Sequence, residues 1–397
     1  MAEQHEKALV PQIRFTGFTD PWEQRKLGEL FEEHSEKDRD DLPALTIIQG
    51  GGTVHRDESN RNLQFDRNSL SNYKVVDTGD FIVHLRSFEG GLEKATCCGL
   101  VSPAYHIFRG KNVDSDFYYL YFRSKRFIDA DLKPHVYGIR DGRSIDIEGM
   151  KTIFIPWTNL AEQRRIGAFF DRLDSLITLH QRKYDKLCVL KKSMLDKMFP
   201  KGGSLYPEIR FAGFTNHWEQ RKLGELFEES DERASDREIL SVSVANGIYP
   251  ASESDRETNP GASLANYKVV HSGDVVYNSM RMWQGAVDAS RYDGIVSPAY
   301  VVAKPNSEVY ARFFARLLRQ PMLLKQYQQV SQGNSKDTQV LKFDDFASIE
   351  ISMPASENEQ RRIGAFFDRL DSLITLHQRK LELLRNIKKS MLDKMFV

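Results

Sequence analysis

Two long stretches of the chain show the spacing of apolar positions that is typical of an amphipathic helix. Over 161–199, apolar side chains recur every three or four residues, and the same spacing returns over 359–395. Neither stretch contains proline, and Pro200 followed by two glycines ends the first one. The pattern predicts two helices, each about 57 Å long at about 1.5 Å per residue.

A helix of this length cannot cover its own apolar seam, so we predict that the two helices pack against each other in antiparallel orientation. The histidines on the seam could form a pH-sensitive pair, but we favour tolerated polar residues at a helix crossing. The predicted interface consists of Ile166, Phe170, Leu173, Ile177 and His180 in the first helix and Ile363, Phe367, Leu370, Ile374 and His377 in the second.

Before each helix, short apolar runs alternate with turn residues. YKVV, a TGD or SGD turn, and FIVHL or VVYN predict strand–turn–strand, and VSPAYHIF and VSPAYVVA each predict a further buried strand. FYYLYFRSKRFIDADL and VYARFFARLLRQPMLLKQY predict helices. The predicted fold class is α+β, with two mixed α/β domains joined by two long, coiled-coil-like antiparallel helices.

The chain repeats itself, which gives the predicted fold a pseudo-two-fold internal repeat. IRFTGFTDPWEQRKLGELFEE at 13–33 returns as IRFAGFTNHWEQRKLGELFEE at 209–229, and EQRRIGAFFDRLDSLITLHQRK at 162–183 returns unchanged at 359–380. Between these blocks only short echoes such as NYKVV and VSPAY remain. Unchanged blocks beside strongly divergent ones indicate a constant frame for assembly and a variable part for recognition.

Composition limits the function. The 397 residues include 56 Lys/Arg and 56 Asp/Glu, whereas a protein that binds nucleic acid alone usually has a basic excess. Each helical block is locally basic, with nine Lys/Arg against five Asp/Glu over 159–199, and could face solvent, DNA phosphates or an acidic partner. Three cysteines without CxxC spacing, and no long apolar run, predict a cytoplasmic chain without a membrane span.

Side chains with forked hydrogen-bond donors occur in turns at the same places in both repeats, just after the GD strand and just before the last strand. Such side chains distinguish base edges or hold phosphates, although any surface loop contains some of them. The candidate DNA contacts are Arg86, Ser87, Arg140 and Arg143 in the first repeat, and Asn278, Arg281, Trp283, Gln284, Gln332, Asn334 and Lys336 in the second.

Sequence motifs for catalysis are missing. The chain has no GxxxxGK[ST] phosphate loop, no GxSxG elbow and no HExxH metal site. SPAY, at 102–105 and 297–300, is similar to the Asn/Asp/Ser-Pro-Pro-Tyr box of amino-methyltransferases but has Ala at the third position and no preceding glycine-rich loop. We therefore expect no catalytic residues and no metal ligands in this chain.

The WEQRKLGELF blocks, the GD echoes and the proline-ended strand followed by EQRRIGAFFDRLDSLI resemble the specificity subunits of type I restriction–modification systems, over residues 12–397. The resemblance implies two target-recognition domains, at 12–158 and 208–358. Each would read one half of a bipartite site in double-stranded DNA. It also implies two conserved helical spacers, at 159–200 and 359–397, which set the distance between the half-sites.

The resemblance further implies that the spacers bind two modification (methyltransferase) subunits, and that restriction subunits join as ATP-dependent translocase and nuclease. S-adenosylmethionine, ATP and Mg²⁺ would be bound by those partners and not by this chain. Two other classes remain possible from the residues alone. One is a scaffold whose helices bind proteins, and the other is a remnant of a fused methylase–nuclease.

Overall fold

The computed structural model describes residues 9–58, 67–138, 143–254, 264–333 and 339–396. The chain divides into two compact units. Unit 1 comprises Met1–Gln181 and Arg379–Val397, and unit 2 comprises Arg182–Gln378. The division falls inside both long helices, so each helix belongs partly to each unit.

Unit 1 is a mixed α/β domain. Its strands β2, β9, β6 and β7 form an antiparallel sheet in that order, while β1 pairs with β12, β3 with β4, β5 with β8 and β10 with β11. The strands are β1 (Glu23–Lys26), β2 (Phe31–His34), β3 (Leu45–Ile48), β4 (Gly52–His55), β5 (Lys74–Val76), β6 (Phe81–Val83), β7 (Glu93–Lys94), β8 (Gly99–Val101), β9 (His106–Gly110), β10 (Val136–Tyr137), β11 (Ser144–Ile145) and β12 (Phe154–Trp157). The helices are α1 (Leu27–Leu30), α2 (Ser87–Gly90), α3 (Ser115–Phe122), α4 (Ile147–Lys151) and the long α5 (Leu160–Lys197), with 3₁₀ turns at Arg56–Glu58, Arg67–Asn72 and Lys133–His135 and a π-helix at Phe127–Leu132.

Unit 2 repeats this plan. The antiparallel sheet has the order β14, β21, β18 and β19, and β13 pairs with β22, β15 with β16 and β17 with β20. The strands are β13 (Glu219–Lys222), β14 (Phe227–Glu229), β15 (Leu240–Ser243), β16 (Gly247–Pro250), β17 (Lys268–Val270), β18 (Val275–Asn278), β19 (Val287–Ala289), β20 (Gly294–Val296), β21 (Tyr300–Pro305) and β22 (Glu350–Met353). The helices are α6 (Leu223–Leu226), α7 (Ala311–Leu317), α8 (Pro321–Val330), α9 (Phe343–Ala347) and the long α10 (Glu357–Met395), with 3₁₀ turns at Ala251–Glu253 and Met282–Gln284.

The predicted strand–turn–strand around the GD dipeptide is present in both units. In unit 1, the Asp80 carboxylate accepts a hydrogen bond from the Asp77 amide at 2.9 Å. In unit 2, the Asp274 carboxylate accepts one from the His271 amide at 2.8 Å. The glycine before each aspartate has a positive φ, which only glycine adopts without strain. This turn leads from β5 into the buried β6, and from β17 into the equally buried β18.

Three predictions about local structure were wrong in detail. The helix predicted over 117–132 is interrupted by a turn at 123–124, which separates α3 from the π-helix at Phe127–Leu132. VSPAYHIF is not one strand, because a turn over 102–105 separates β8 from β9, and the same break separates β20 from β21. The long helix predicted around 309–327 is divided into α7 and α8. Gln320 has an extended backbone before Pro321, and proline disfavours helical geometry in the residue before it.

The predicted long helices are present, and within each unit segments of the two lie antiparallel. In unit 1, Lys388 of α10 binds Asp174 of α5 at 2.6 Å, and Arg385 donates to Gln181 at 3.0 Å. The residue number rises along one helix as it falls along the other. In unit 2, Lys191 of α5 forms an ion pair with Asp371 of α10.

Much of the apolar seam packs into the domain cores as well as against the other helix. Ile166, Phe170 and Leu173 are buried in the core of unit 1, where Leu384, Met391 and Leu392 of α10 also pack. The equivalent residues Ile363, Phe367 and Leu370 are buried in the core of unit 2, beside Leu187 and Met194 of α5. Ile177, His180, Ile374 and His377 are only half-buried.

The repeated blocks meet in a buried clamp at the start of each long helix. Arg14 donates to both carboxylate oxygens of the fully buried Glu162, at 2.6 and 2.7 Å, and the indole of Trp22 donates to it at 3.1 Å. In unit 2, Arg210 binds Glu359 in the same bidentate way, at 2.6 and 2.7 Å. This clamp ties the block that opens each repeat to the block that closes it.

The last residues of each long helix complete a core. Phe396, which follows α10, lies 5.2 Å from Phe117 and 6.0 Å from Trp22 in unit 1. Phe199, which follows α5, lies 5.7 Å from Phe313 and 6.0 Å from Trp218 in unit 2. Unit 1 is therefore closed by the end of α10, which is distant in sequence, and unit 2 by the end of α5. No helix in the described part of the chain is both long and apolar enough to cross a membrane.

Candidate nucleic-acid interface

Each unit presents a loop just after the strand that follows its GD turn, which is β6 in unit 1 and β18 in unit 2. In unit 1, the loop over 84–91 contains the one-turn helix α2 and ends at Gly91, which has a φ of +80°. In unit 2, the loop over 278–285 contains a 3₁₀ turn and ends at Gly285, with a φ of +93°. A Cβ at Gly91 would lie 2.0 Å from the Phe122 carbonyl oxygen, so a side chain cannot be accommodated there.

The first residue of each loop stabilises the turn with its side chain. Nδ1 of His84 accepts a hydrogen bond from the Arg86 amide at 3.2 Å. Oδ1 of Asn278 accepts one from the Met280 amide at 3.0 Å. Different residues therefore build the same turn, and each keeps a second polar atom that is not used in this bond.

His84 is not among the residues predicted from sequence, although its position after a buried strand matches that of Asn278. Burial lowers the pKa of His84, which favours the neutral ring. Because Nδ1 accepts a hydrogen bond, Nε2 carries the ring proton. Among the described residues Nε2 has no hydrogen-bond partner, so a buried donor remains available at the base of this loop.

The structure brings the second predicted loop of each repeat next to the first. In unit 1, the guanidinium of Arg143 lies 4.1 Å from the centre of the Phe88 ring and 3.4 Å from the Glu89 carboxylate. In unit 2, the Leu341 amide donates to the Ser279 carbonyl at 2.9 Å. We call residues 84–91 with 143–145 loop pair 1, and residues 278–285 with the described part of 331–341 loop pair 2.

Most of the predicted contacts that the structure describes face outward. Arg86 and Arg143 are exposed in loop pair 1, and Arg281, Gln284 and Gln332 are exposed in loop pair 2. Asn278 and Trp283 are half-buried, and the Trp283 indole donates to the Met280 carbonyl at 3.2 Å. Gln332 also donates to Asp345 at 3.0 Å. Arg140, Asn334 and Lys336 lie outside the described residues.

Ser87 requires a correction. Its side chain is fully buried, and its Oγ accepts a hydrogen bond from the His84 amide at 2.9 Å. It therefore stabilises the turn from inside, and its hydroxyl does not face a ligand. A serine in a short polar turn gives no sequence signal for this difference, because burial depends on the strands beneath.

The SPAY motif forms the turn that supports these loops. In unit 2, the Ser279 hydroxyl donates to the Ala299 carbonyl of SPAY at 2.7 Å. In unit 1, the Tyr105 ring of SPAY packs edge-on against His84, with 6.3 Å between the ring centres. The motif thus has a clear structural role. The described residues contain no group of His, Cys, Asp and Glu side chains that could hold a metal ion.

Each unit therefore places forked donors on a paired-loop surface above a buried sheet, an arrangement suited to reading base edges and holding phosphates. A family model described as "Type I restriction modification DNA specificity domain" matches residues 215–386, most of the second repeat.

Several solved structures are similar to this chain. The S subunit of a type I restriction–modification system from M. genitalium is 17% identical, with 98% of this chain and 99% of that chain covered and a TM-score of 0.51, which shows a shared fold. The HsdS subunit from Thermoanaerobacter tengcongensis is 17% identical, with coverages of 94% and 96% and a TM-score of 0.44. A chain from a structure of complex assembly and conformational transition in the type I R-M system is also 17% identical, with coverages of 94% and 97% and a TM-score of 0.41.

The fold consists of two repeated units, each with its own loop pair. The family model covers the second repeat, and the near-identical blocks at 13–33 and 162–183 carry the same frame into the first. Residues 215–386 match this family model, and the whole chain shares its fold with the S subunit from M. genitalium.

Proposed function

We propose that each unit reads one half of a bipartite site in double-stranded DNA, through loop pair 1 and loop pair 2 respectively. The long helices set the number of unread base pairs between the half-sites and bind two modification subunits. The chain itself catalyses no reaction, and it acts in the cytoplasm together with those subunits and with restriction subunits.

One observation carries this proposal. The frame is nearly identical in the two units, whereas the loop pairs stand at the same place and carry different side chains. His84 in unit 1 stands where Asn278 does in unit 2, and both begin the loop with the same backbone turn. A common scaffold with different donors is what two half-sites of different sequence require.

The helices offer a surface for the modification subunits. Large apolar side chains are exposed at equivalent positions of α5 and α10. Leu179 and Leu376 are 47% and 46% exposed, and Leu190 and Ile387 are 39% and 38% exposed. Exposed apolar residues that recur on both helices fit two copies of one protein partner better than they fit solvent.

The cofactors of modification and restriction belong to the partners in this proposal. S-adenosylmethionine would be bound by the modification subunits, and ATP and Mg²⁺ by the restriction subunits. The zero net charge of the chain agrees with a reader whose partners supply part of the phosphate neutralisation, since that term dominates DNA affinity.

Methylome sequencing of cells that express the chain with its modification subunit tests the proposal. We expect one methylated motif composed of two short specific halves separated by unspecified bases. Cells without this chain but with the modification subunit serve as the control. A contiguous motif, or methylation that is the same with and without the chain, would contradict the proposal.

A further inference from the structure

A charged cleft opens in unit 2 at the junction of the β15–β16 turn, α7 and α10. Its volume is about 480 Å³. Five Lys or Arg and four Asp or Glu side chains stand among its described lining residues, which gives a net charge of +1. The corresponding cleft of unit 1 measures about 240 Å³ and is lined by one lysine and three aspartates. The two units thus differ in the volume of this cleft and in the sign of its net charge.

Both units contain an equivalent arginine, half-buried in each, whose partners differ. In unit 1, Arg123 forms an ion pair with Glu93, which is fully buried and also accepts a hydrogen bond from the Tyr119 hydroxyl at 3.0 Å. The Gly50 amide donates to the same carboxylate at 2.7 Å. The guanidinium and the phenol therefore both find their partner in the buried carboxylate.

In unit 2, the equivalent arginine is Arg319, but its partners have changed. Asp288 of β19 lies opposite Val276 of β18, just as Glu93 of β7 lies opposite Ile82 of β6. Asp288 therefore takes the place of Glu93, and its side chain is one methylene shorter. The Ile248 amide donates to the Asp288 carboxylate at 3.3 Å. Ala315 stands in place of Tyr119, which removes the phenol and opens the cleft.

Arg319 consequently lacks the direct carboxylate contact that Arg123 has. Its Nε donates to the Val287 carbonyl at 2.8 Å, but its Nη2 is buried without a hydrogen-bond partner among the described residues. Nε of Arg316, which lines the same cleft, is likewise buried without a hydrogen-bond partner among the described residues. Burial lowers the pKa of Arg319, and the attraction of Asp288 and Asp371 offsets only part of the lost hydration. A buried cation without a paired anion is destabilising.

The two carboxylates that α10 contributes to the cleft are already paired with cations. Asp368 accepts hydrogen bonds from Arg291, Arg312 and Arg316, and Asp371 pairs with Arg316 and Lys191. These carboxylates are therefore neutralised, and the donors of the cleft without a partner among the described residues are Nη2 of Arg319 and Nε of Arg316. The Arg319 side chain lies beside loop pair 2, since a Cβ on Gly285 would be 3.9 Å from its Cγ.

We propose that this cleft is an anion site in which Arg319 binds a phosphate oxygen. Guanidinium groups bind phosphate and carboxylate through the same forked geometry, so phosphate can occupy the role that Glu93 has in unit 1. The phosphate is either a phosphodiester of DNA bound at loop pair 2 or a free phosphate. The site goes beyond base reading, and binding of the free ion does not depend on the proposed function.

Isothermal titration of the full chain with inorganic phosphate at constant ionic strength tests this site. We expect saturable binding, and Arg319→Gln should weaken it by about tenfold or more, the effect of losing a charge-assisted hydrogen bond. Arg123→Gln is the matched control, because the same arginine of unit 1 is paired internally, and it should leave the affinity unchanged. Absence of saturable binding, or equal binding by Arg319→Gln, would overturn the proposal.

A second variant keeps the test decisive if Arg319→Gln is poorly folded. Ala315→Tyr restores the phenol that unit 1 has and fills the cleft, so it should abolish phosphate binding while the chain remains folded by circular dichroism. Retained phosphate binding in a folded Ala315→Tyr variant would contradict the proposed location.

Duplex DNA containing the cognate site then distinguishes the two sources of phosphate. If DNA displaces inorganic phosphate and Arg319→Gln lowers the salt dependence of DNA binding by about one counterion, the ligand is a phosphodiester. If inorganic phosphate stays bound beside DNA, the ligand is free phosphate. Both outcomes support the site, and neither requires that base reading be correct.

Discussion

The guanidinium of Arg14 donates two hydrogen bonds to the carboxylate of Glu162, a residue 148 positions later in the chain. The carboxylate is fully buried and also accepts from Thr158 and Trp22. The same clamp joins Arg210 to Glu359 in unit 2. Because the clamp connects the two ends of each repeat, it fixes the start of the long helix on its domain.

Removing one partner of this clamp should destabilise the protein strongly. Glu162→Ala leaves the Arg14 charge partly buried and unpaired, which costs about 3–5 kcal/mol in comparable buried pairs. Urea unfolding near neutral pH measures this loss. Glu23→Ala is the control, because Glu23 pairs with Arg25 at the surface, where such pairs contribute about 0–1 kcal/mol. Equal effects of the two substitutions would show that the clamp is not a stabilising element.

The clamp also predicts a pH dependence. Burial alone would raise the pKa of Glu162, but hydrogen bonds from Arg14 and Thr158 outweigh it and hold the pKa below its ordinary value of 4.5. A carboxylate with a lowered folded pKa stabilises the fold at pH above the unfolded pKa, and this contribution is lost as the pH falls through the folded pKa. The stability difference between the wild type and Glu162→Gln should therefore shrink below pH 4.5. A difference that grows on acidification would refute this assignment.

The C-terminal aromatic residue should be essential to unit 1. Phe396 is 8% exposed and packs among Trp22, Phe117 and Tyr121. Phe396→Ala leaves a cavity in this core and should lower the free energy of unfolding by about 3–5 kcal/mol. Val189→Ala on an exposed helix face, where Val189 is 69% exposed, should change it by less than about 0.5 kcal/mol. Denaturation that is unaffected by Phe396→Ala would mean that the helix end does not close the unit.

Substitutions in loop pair 1 and in loop pair 2 should each change the sequence specificity of a different half-site. Arg281→Ala should weaken binding of the cognate site by about 1–3 kcal/mol if the side chain contacts a base. Methylome mapping should then show relaxed sequence in only one half-site. Arg86→Ala serves as its counterpart and should relax only the other half-site. Relaxation of both halves by either substitution would contradict independent reading.

The length of the two long helices should determine the number of unread base pairs between the half-sites. Four residues inserted after Tyr184 and after Leu381 should lengthen each helix by about 6 Å, close to two base-pair steps of about 3.4 Å. Insertion at both places retains the ion pairs Lys191–Asp371 and Lys388–Asp174 within their units. We expect a longer spacer between unchanged half-sites. An unchanged spacer in the methylation motif would refute a measuring role for the helices.

The sequence predicted the elements that depend on local pattern. The helix predicted over 161–199 is Leu160–Lys197, and the IFIP strand is part of Phe154–Trp157. These elements have strong periodicity or a dense run of apolar residues. Contacts with the rest of the fold therefore do not alter their secondary structure. The divided strand at 102–105 shows the limit, because apolar character alone does not reveal a turn between two buried strands.

The candidate site was predictable by location but not by side chain. The repeat indicated two loops in each unit, and the structure brings the described parts of these loops together. The burial of Ser87 and the role of His84 depend on contacts with strands and with Tyr105 that no local pattern contains. The partners of Glu162 were equally hidden, because Arg14 is distant in sequence and either residue alone resembles an ordinary surface charge.

An exchange between the two repeats tests the central claim that each unit reads its own half-site. Residues 34–158 are replaced by a second copy of residues 230–358, which the near-identical flanking blocks should accept. Methylome sequencing of cells with this chain and the modification subunit should show a motif in which both halves carry the sequence read by unit 2. A motif that keeps its original two halves, or one in which the half read by unit 2 also changes, would contradict the account.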